Sequence, residues 1–444
     1  MHSMVGETDF IYDPSAYESG APMSRFSALR GSADILWVEE KKLKHWPEGE
    51  GFWVILSHKL CTEVLKNTSV FSSNIQGTQL RNPATKEDLA YVKEMMLNMD
   101  PPDHSRLRRH LIGAFTSKAI RELEEKISQH AEAIIDQVIE CFPDGRCDFV
   151  ADIAADLPLR CLADIFGMPN EDRYLMYDWA NRVVGFQDPD YAKSSLFNVE
   201  SGSTMAFEAI KHRPKPDENG KMPDPRSRHG MNDLYAYAHL LAKHRRENPS
   251  DDVISILLRQ LDDHGQPLTI AEFENMFWLF MVAGNETLRN GIPGGMIALL
   301  DQPESWEKLY LYPELMPKAV GEMLRWWSPV MNFRRTATSD IDLGGQRISA
   351  GDKVMVSFIS ANHDERVFSS AARFDVERAS NKHLSFGYGP HFCLGAQLAE
   401  AQMRAMFSQL VKRFRRIEIA APPTFLRSNF QRGVKALPIK FFLR

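Results

Sequence analysis

Three glycines, Gly387, Gly389 and Gly395, surround a single thiol, Cys393, in the stretch FGYGPHFCLG. A helical run, LGAQLAEAQMRAMFSQLVKRF, follows almost at once. Few folds can use this arrangement. Glycine adopts positive φ and lets the backbone pass close to another group. A helix starting just after the cysteine brings its positive end near the sulfur, and turn amides can point at it; both favour the thiolate. Three uses fit such a thiol: a nucleophile, a redox centre or a metal ligand. A nucleophile needs a base, and His391, two positions upstream in an extended loop, points along its own direction. A redox thiol needs a resolving cysteine, and none is adjacent.

The other four cysteines (Cys61, Cys141, Cys147, Cys161) are too few for a disulfide framework in 444 residues. Cys141 and Cys147, in CFPDGRC, are spaced too widely for a CxxC pair. All four are expected to be inert, most of them buried, in a reducing compartment. A formal charge of -6 argues against a general nucleic-acid binder. The N-terminal MHSMVGETDFIYDPSAYESG has neither a basic nor an apolar region of the signal-peptide kind. The strongest apolar run, MFWLFMVAG, is far short of the ~18 residues a bilayer span needs. A soluble, cytoplasmic chain without membrane attachment is expected.

From Arg106 to about Gln260 apolar residues recur at three- and four-residue steps, a helical pattern. The Pro-, Gly- and charge-rich segment 211–230, KHRPKPDENGKMPDPRSRHG, reads as a surface loop between two helices, because the helical pattern resumes without a change of composition. Strand signals lie in GFWVILSH and between Phe333 and Ser360, where DLGGQ supplies a hairpin turn. The expected class is mainly α with small β-sheets (α+β), in a single domain spanning 1–444.

One helix stands out. TIAE, Thr269 to Glu272, is a capping box, and the helix it opens is apolar on every face at its middle, which marks a helix through the core. There the sequence switches to AGNET. Gly284 costs about 1 kcal/mol relative to Ala, and Glu286 is expensive to bury unless partnered. These costs suggest function, with a packing glycine as the plainer reading. Pro293 removes a donor further along and is expected to kink the helix.

FGYGPHFCLG resembles, position by position, the haem-binding loop of the cytochrome P450 superfamily. A lone thiolate on haem iron needs no base and no second cysteine, only close backbone approach and amide donors. The resemblance covers nearly the whole chain. It implies haem b with Cys393 as axial thiolate and Phe386, Gly387, Gly395 and Ala283 beside the cofactor. GEMLR resembles the family's Glu-x-x-Arg pair, Glu322 and Arg325, with Arg378 as third member of a structural network. DPPDHSRLRRH resembles the helix that reaches a haem propionate through His104 and Arg108. Arg335 and His391 match the other propionate partners, with Arg334 a rival to Arg335. AGNET resembles the oxygen-binding segment, with Thr287 as the alcohol and Glu286 as the acid; many relatives carry Asp at the latter position.

The implied fold is that of the family, a long central helix over a buried haem. The implied activity is insertion of one oxygen atom of O2 into a C–H bond of a hydrophobic small molecule: a steroid, a terpenoid, or an alkyl or fatty chain. Leu279, Val282, Ala283 and Val330 are expected to face the substrate, roofed by 76–96 and 211–230. No GxGxxG opens a βαβ unit, so electrons are expected from a separate ferredoxin and ferredoxin reductase. The basic residues of HSRLRRH and QLVKRFRR would form the docking face of a monomer. Rival readings are a peroxide-using haem-thiolate enzyme, a haem ligand sensor without turnover and, more distantly, a cysteine-nucleophile hydrolase.

Overall fold

β-Branched and aromatic residues make GFWVILSH a strand at Phe52–Ile55. In the computed structural model, which describes residues 8–112, 115–193, 195–220, 222–261 and 265–444, it sits inside a five-stranded sheet. The strand order is Ile35–Val38, Phe52–Ile55, Lys353–Ser357, Asn332–Ala337, Phe71–Ser72. Phe52–Ile55 runs parallel to Lys353–Ser357, and the other pairs are antiparallel. All five residues of Lys353–Ser357 are buried. Lys353 is admitted because its ammonium lies 2.5 Å from the Glu40 carboxylate, also buried. Under this sheet Ile55, Leu60, Val64, Val356, Phe358 and Leu384 form one apolar cluster. Leu384 anchors the start of the Cys393 loop there.

The backbone divides into two compact units. One comprises Met1–Ser72, Glu122–Leu157 and Thr287–Arg444, and the other Ser73–Arg121 and Pro158–Glu286. The first holds the five-stranded sheet and the helices Met316–Trp327 and Ala396–Arg413, which pack on each other. It also holds the expected hairpin: Ile341–Leu343 pairs with Gln346–Ile348, and Gly344 and Gly345 take φ of 58° and 78° at the turn.

The second unit is helical. Trp179, Tyr237 and Phe277 meet ring to ring at its centre. Its buried acids are paired: Tyr237 donates to Asp172 at 2.7 Å, Arg182 binds Asp233 at 2.7 Å, and Arg228 and His239 both reach Glu274. Segment 211–230, whose Lys221 lies outside the described residues, connects the helices Thr204–Ile210 and Asn232–Glu247. Its Arg226 and the more N-terminal Arg81 both lie over the Phe186 ring.

The central helix runs from Ile270 to Leu300. Its capping box forms as expected: the Thr269 N–H donates to Glu272 at 2.9 Å, and the Glu272 N–H to the Thr269 hydroxyl at 3.1 Å. The helix continues through Pro293 rather than breaking there. Among the described residues no helix is long and apolar enough to cross a membrane. The expectation of mostly buried spare thiols needs correcting. Cys61 and Cys161 are buried, but Cys141 is exposed as the last residue of its helix, and Cys147 is half-buried on an edge strand.

Candidate active site

The Cys393 loop is held closed by its own backbone. The Cys393 N–H donates to the Phe386 carbonyl at 2.8 Å, Gly387 N–H to Leu384 at 2.8 Å, and Phe392 N–H to Gly389 at 3.0 Å. Gly387 and Gly389 have φ of 72° and 71°, a region that side chains strain to enter. At Gly389 the demand is doubled, since a Cβ there would lie 2.6 Å from the Leu65 carbonyl oxygen. Gly389→Ala is therefore expected to cost about 2 kcal/mol and to lower haem content. Thermal unfolding and a haem assay would check it, and an unchanged midpoint would remove the strain argument.

Beyond the loop, the helix Ala396–Arg413 starts three residues after the cysteine, close enough for its terminal amides to favour a negative sulfur. The thiol is exposed, as is the Phe392 side chain beside it (43%). A Cβ built on Gly395 would meet no atom within 4 Å. An accessible thiol, an aromatic rim and open glycine edges suit a flat macrocycle ligated through sulfur.

The loop rests on a buried polar network. Glu322 and Arg325, one turn apart on Met316–Trp327, form a fork with two 2.7 Å bonds, both side chains fully buried. Glu322 also accepts from Arg378 at 2.9 Å, the Asp375 N–H at 2.9 Å and Asn381 at 3.1 Å. Arg325 goes on to the Asn362 carbonyl at 2.8 Å. The Asn362 side chain then donates to Ser385 at 2.8 Å and accepts from the Leu384 N–H at 2.6 Å. Asn362 thus joins the Glu-x-x-Arg network to the residues that open the cysteine loop. Sequence reasoning missed it, because a single Asn in ISANHDE carries no periodic or motif signal.

Arg334 and Arg335 are both buried on the strand Asn332–Ala337 and point to opposite faces. Burial pulls the Arg334 guanidinium down to about 10, opposed by Glu40 and Glu50. Arg334 therefore belongs to the acidic side of the sheet with Glu40, which leaves the other face to Arg335. His391 is half-buried within the loop. His104 and Arg108 lie one turn apart on Asp103–Ile112 in the other unit, His104 buried and Arg108 half-buried. That helix is tied to the start of the central helix by an Arg106–Glu272 ion pair.

Along the central helix most residues are buried; Leu279, Ala283 and Thr287, spaced by four, are among those that are not, together with Trp278, Phe280 and Gly284. The three spaced by four form one accessible stripe. Val282 does not join them: it is buried, 9% exposed, on the flank it shares with Glu286. Gly284 packs close to Leu162: a Cβ there would lie 2.8 Å from Leu162 Cδ2. Glu286 is fully buried and partnered: its carboxylate accepts a 2.7 Å hydrogen bond from Tyr191. Tyr191, 95 positions away along the chain, carries no motif that points to it. Val330 is half-buried against the apolar cluster under the five-stranded sheet.

The cytochrome P450 family model matches residues 40–311 and 314–441. The chain belongs to the cytochrome P450 family. Linalool 8-monooxygenase of Pseudomonas putida is 34% identical over 436 residues, 97% of this chain and 98% of that protein. Steroid C26-monooxygenase of Rhodococcus jostii (strain RHA1) is 32% identical over 97% of this chain and 84% of its own length. Among solved structures, a Mycobacterium marinum cytochrome P450 in complex with pseudoionone matches with a TM-score of 0.81 and 34% identity, over 96% of both chains. One from Novosphingobium aromaticivorans matches with 0.82 and 27% identity over 99% of both.

This cytochrome P450 is a monooxygenase of hydrophobic small molecules that uses O2, and its cofactor is haem b held by an axial cysteine thiolate. Bound haem supplies dioxygen activation and oxygen-atom transfer. The protein's own contribution is ligation, orientation, exclusion of water and control of protons.

Proposed function

We propose that Cys393 is the axial ligand, that Thr287 and Glu286 deliver protons, and that the substrate is a terpenoid or a branched alkyl chain. The observation that carries this reading is the central helix. It exposes an apolar stripe at Leu279 and Ala283 that ends in one hydroxyl, Thr287, beside a fully buried carboxyl, Glu286. An apolar wall holds a hydrocarbon and keeps it dry, and the alcohol–acid pair meters protons. The substrate class rests on similarity to linalool 8-monooxygenase and to the structure solved with pseudoionone. Val282 and Val330 are further candidates for the lining. Steroids are the second class to test, since Steroid C26-monooxygenase is similar over a like span.

By family resemblance, Arg335, His391, His104 and Arg108 hold the haem carboxylates, Phe386, Gly387, Gly395 and Ala283 flank the macrocycle, and 1–444 acts as one catalytic domain. Charge-assisted bonds from cationic side chains suit buried carboxylates. Electrons come from a ferredoxin and its reductase, and the chain works as a monomer. Two of the basic residues near the C-terminus are engaged already, Arg413 with Asp136 at 2.5 Å and Arg416 with Glu418 at 3.1 Å. In HSRLRRH the His110 side chain lies outside the described residues. We place the docking face around the exposed Arg109, since Arg108 is assigned to the haem carboxylates. Replacing Arg109 by Glu should weaken ferredoxin-supported turnover at low salt, and turnover equal to wild type would refute it.

The test of substrate class is a Soret-shift titration of the holoenzyme with acyclic terpenoids, branched fatty acids and steroids, followed by product identification. Shifts and products with steroids alone would overturn the terpenoid assignment. The test of proton delivery is Thr287→Ala. Haem and substrate binding should persist, product formation should fall roughly 100-fold, and reducing equivalents should appear as peroxide. Product per NAD(P)H at the wild-type level would refute the role.

A further inference from the structure

One partner of Glu286 is a phenol. Tyr191 donates to Glu286 Oε1 at 2.7 Å, with the tyrosine 7% and the glutamate 0% exposed, so bulk water does not compete for the contact. An arginine or lysine here would hold the carboxylate by charge and resist its protonation. A tyrosine hydroxyl both donates and accepts. It can donate to the carboxylate and accept from the carboxylic acid, so the contact survives either protonation state.

The chain builds a rigid mount for this hydroxyl. The helix Arg173–Val184 runs into a tight turn, Gly185–Gln187, and then a short helix, Pro189–Lys193, that carries Tyr191. The Asp188 carbonyl accepts from Ala192 N–H at 3.0 Å, and its side chain from Tyr191 N–H at 3.4 Å. A Cβ on Gly185 would lie 2.7 Å from the Ala192 nitrogen and 3.0 Å from the Tyr191 ring. Only glycine lets the turn fold back this tightly. Asp188 is itself buried.

Building on the assignment of Glu286 as the acid, we propose that Tyr191 is its positioning residue: the phenol holds the Glu286 carboxyl in the orientation from which its proton passes to Thr287. The role proposed for Tyr191 is exerted through Glu286, to which its hydroxyl is bonded.

The experiment compares four holoenzymes, wild type, Tyr191→Phe, Glu286→Gln and the double variant, with a substrate found by the Soret titration. Tyr191→Phe removes one oxygen atom. Its ferrous carbonyl spectrum, substrate-induced Soret shift and KM should match wild type. Its kcat should fall roughly 10-fold, less than the ~100-fold of losing the acid, with the lost electrons recovered as peroxide. The double variant should be no worse than Glu286→Gln alone, because residues acting as a unit are not additive. Tyr191→His, which keeps a ring donor, should recover part of the coupling and serves as the second variant if Tyr191→Phe does not accumulate as holoprotein. If Glu286→Gln uncouples turnover and Tyr191→Phe does not, the positioning role is wrong and the acid assignment stands. If Glu286→Gln stays coupled, the acid assignment fails and this inference fails with it. A double variant markedly worse than Glu286→Gln would mean that Tyr191 acts by another route, which also overturns it.

Discussion

Cys393→His is expected to abolish the red-shifted Soret band of the ferrous carbonyl complex and to reduce substrate oxidation by more than the ~100-fold typical of losing an outer-shell partner. The reason is electronic. A thiolate pushes electron density toward the opposite face of the metal and favours O–O cleavage, and a neutral imidazole does so far less. The loop is arranged for an anion. It is closed by Cys393 N–H on Phe386 and by two positive-φ glycines, and it is followed by a helix whose first turn faces the sulfur side. Histidine is bulkier than cysteine, so some loss of haem is also expected. The decisive measurement is the carbonyl spectrum of the fraction that stays loaded. A retained red-shifted band there would mean that the sulfur is not the ligand.

Glu322→Gln should be the most destabilising single change outside the loop. Glu322 is a carboxylate bonded to both Arg325 and Arg378, all three are buried, and it also accepts from Asn381 and the Asp375 N–H. Removing its charge leaves two guanidinium groups in a low-dielectric interior without a counter-ion, a loss of about 3–5 kcal/mol. Domains are stable by about 5–15 kcal/mol, so the variant should unfold at markedly lower temperature and be recovered largely without haem. A drop of less than about 1 kcal/mol in chemical denaturation would reduce the network to an ordinary ion pair. Asn362→Ala should be milder than Glu322→Gln. It keeps the charges paired and cuts only the link to Leu384 and Ser385.

What was legible in the sequence had its partners close together along the chain. The Glu322–Arg325 fork one turn apart, the Thr269–Glu272 capping box and the Gly344–Gly345 turn are all local, and each formed as read. What was missed depended on distant partners. Tyr191 meets Glu286 across 95 positions, and Glu40 meets Lys353 across 313. Helical periodicity marks Glu286 as costly without saying what relieves the cost. The close approach of Leu162 to Gly284 is likewise a distant contact that the local sequence does not show. Val282 sits one residue from the accessible Ala283, yet 100° of helix rotation per residue carries it to a more buried flank.

The accessible stripe and the buried network share no side chain. Substituting Leu279 or Ala283 removes no hydrogen bond from Glu322, Asn362 or Ser385. A lineage can therefore recut the surface that meets the hydrocarbon, one residue at a time, while the cradle of the metal is inherited intact. Diversification of substrate range and persistence of the chemistry are separable traits in this chain, and a library confined to position 279 should yield new specificities at little cost in folded, red-coloured protein.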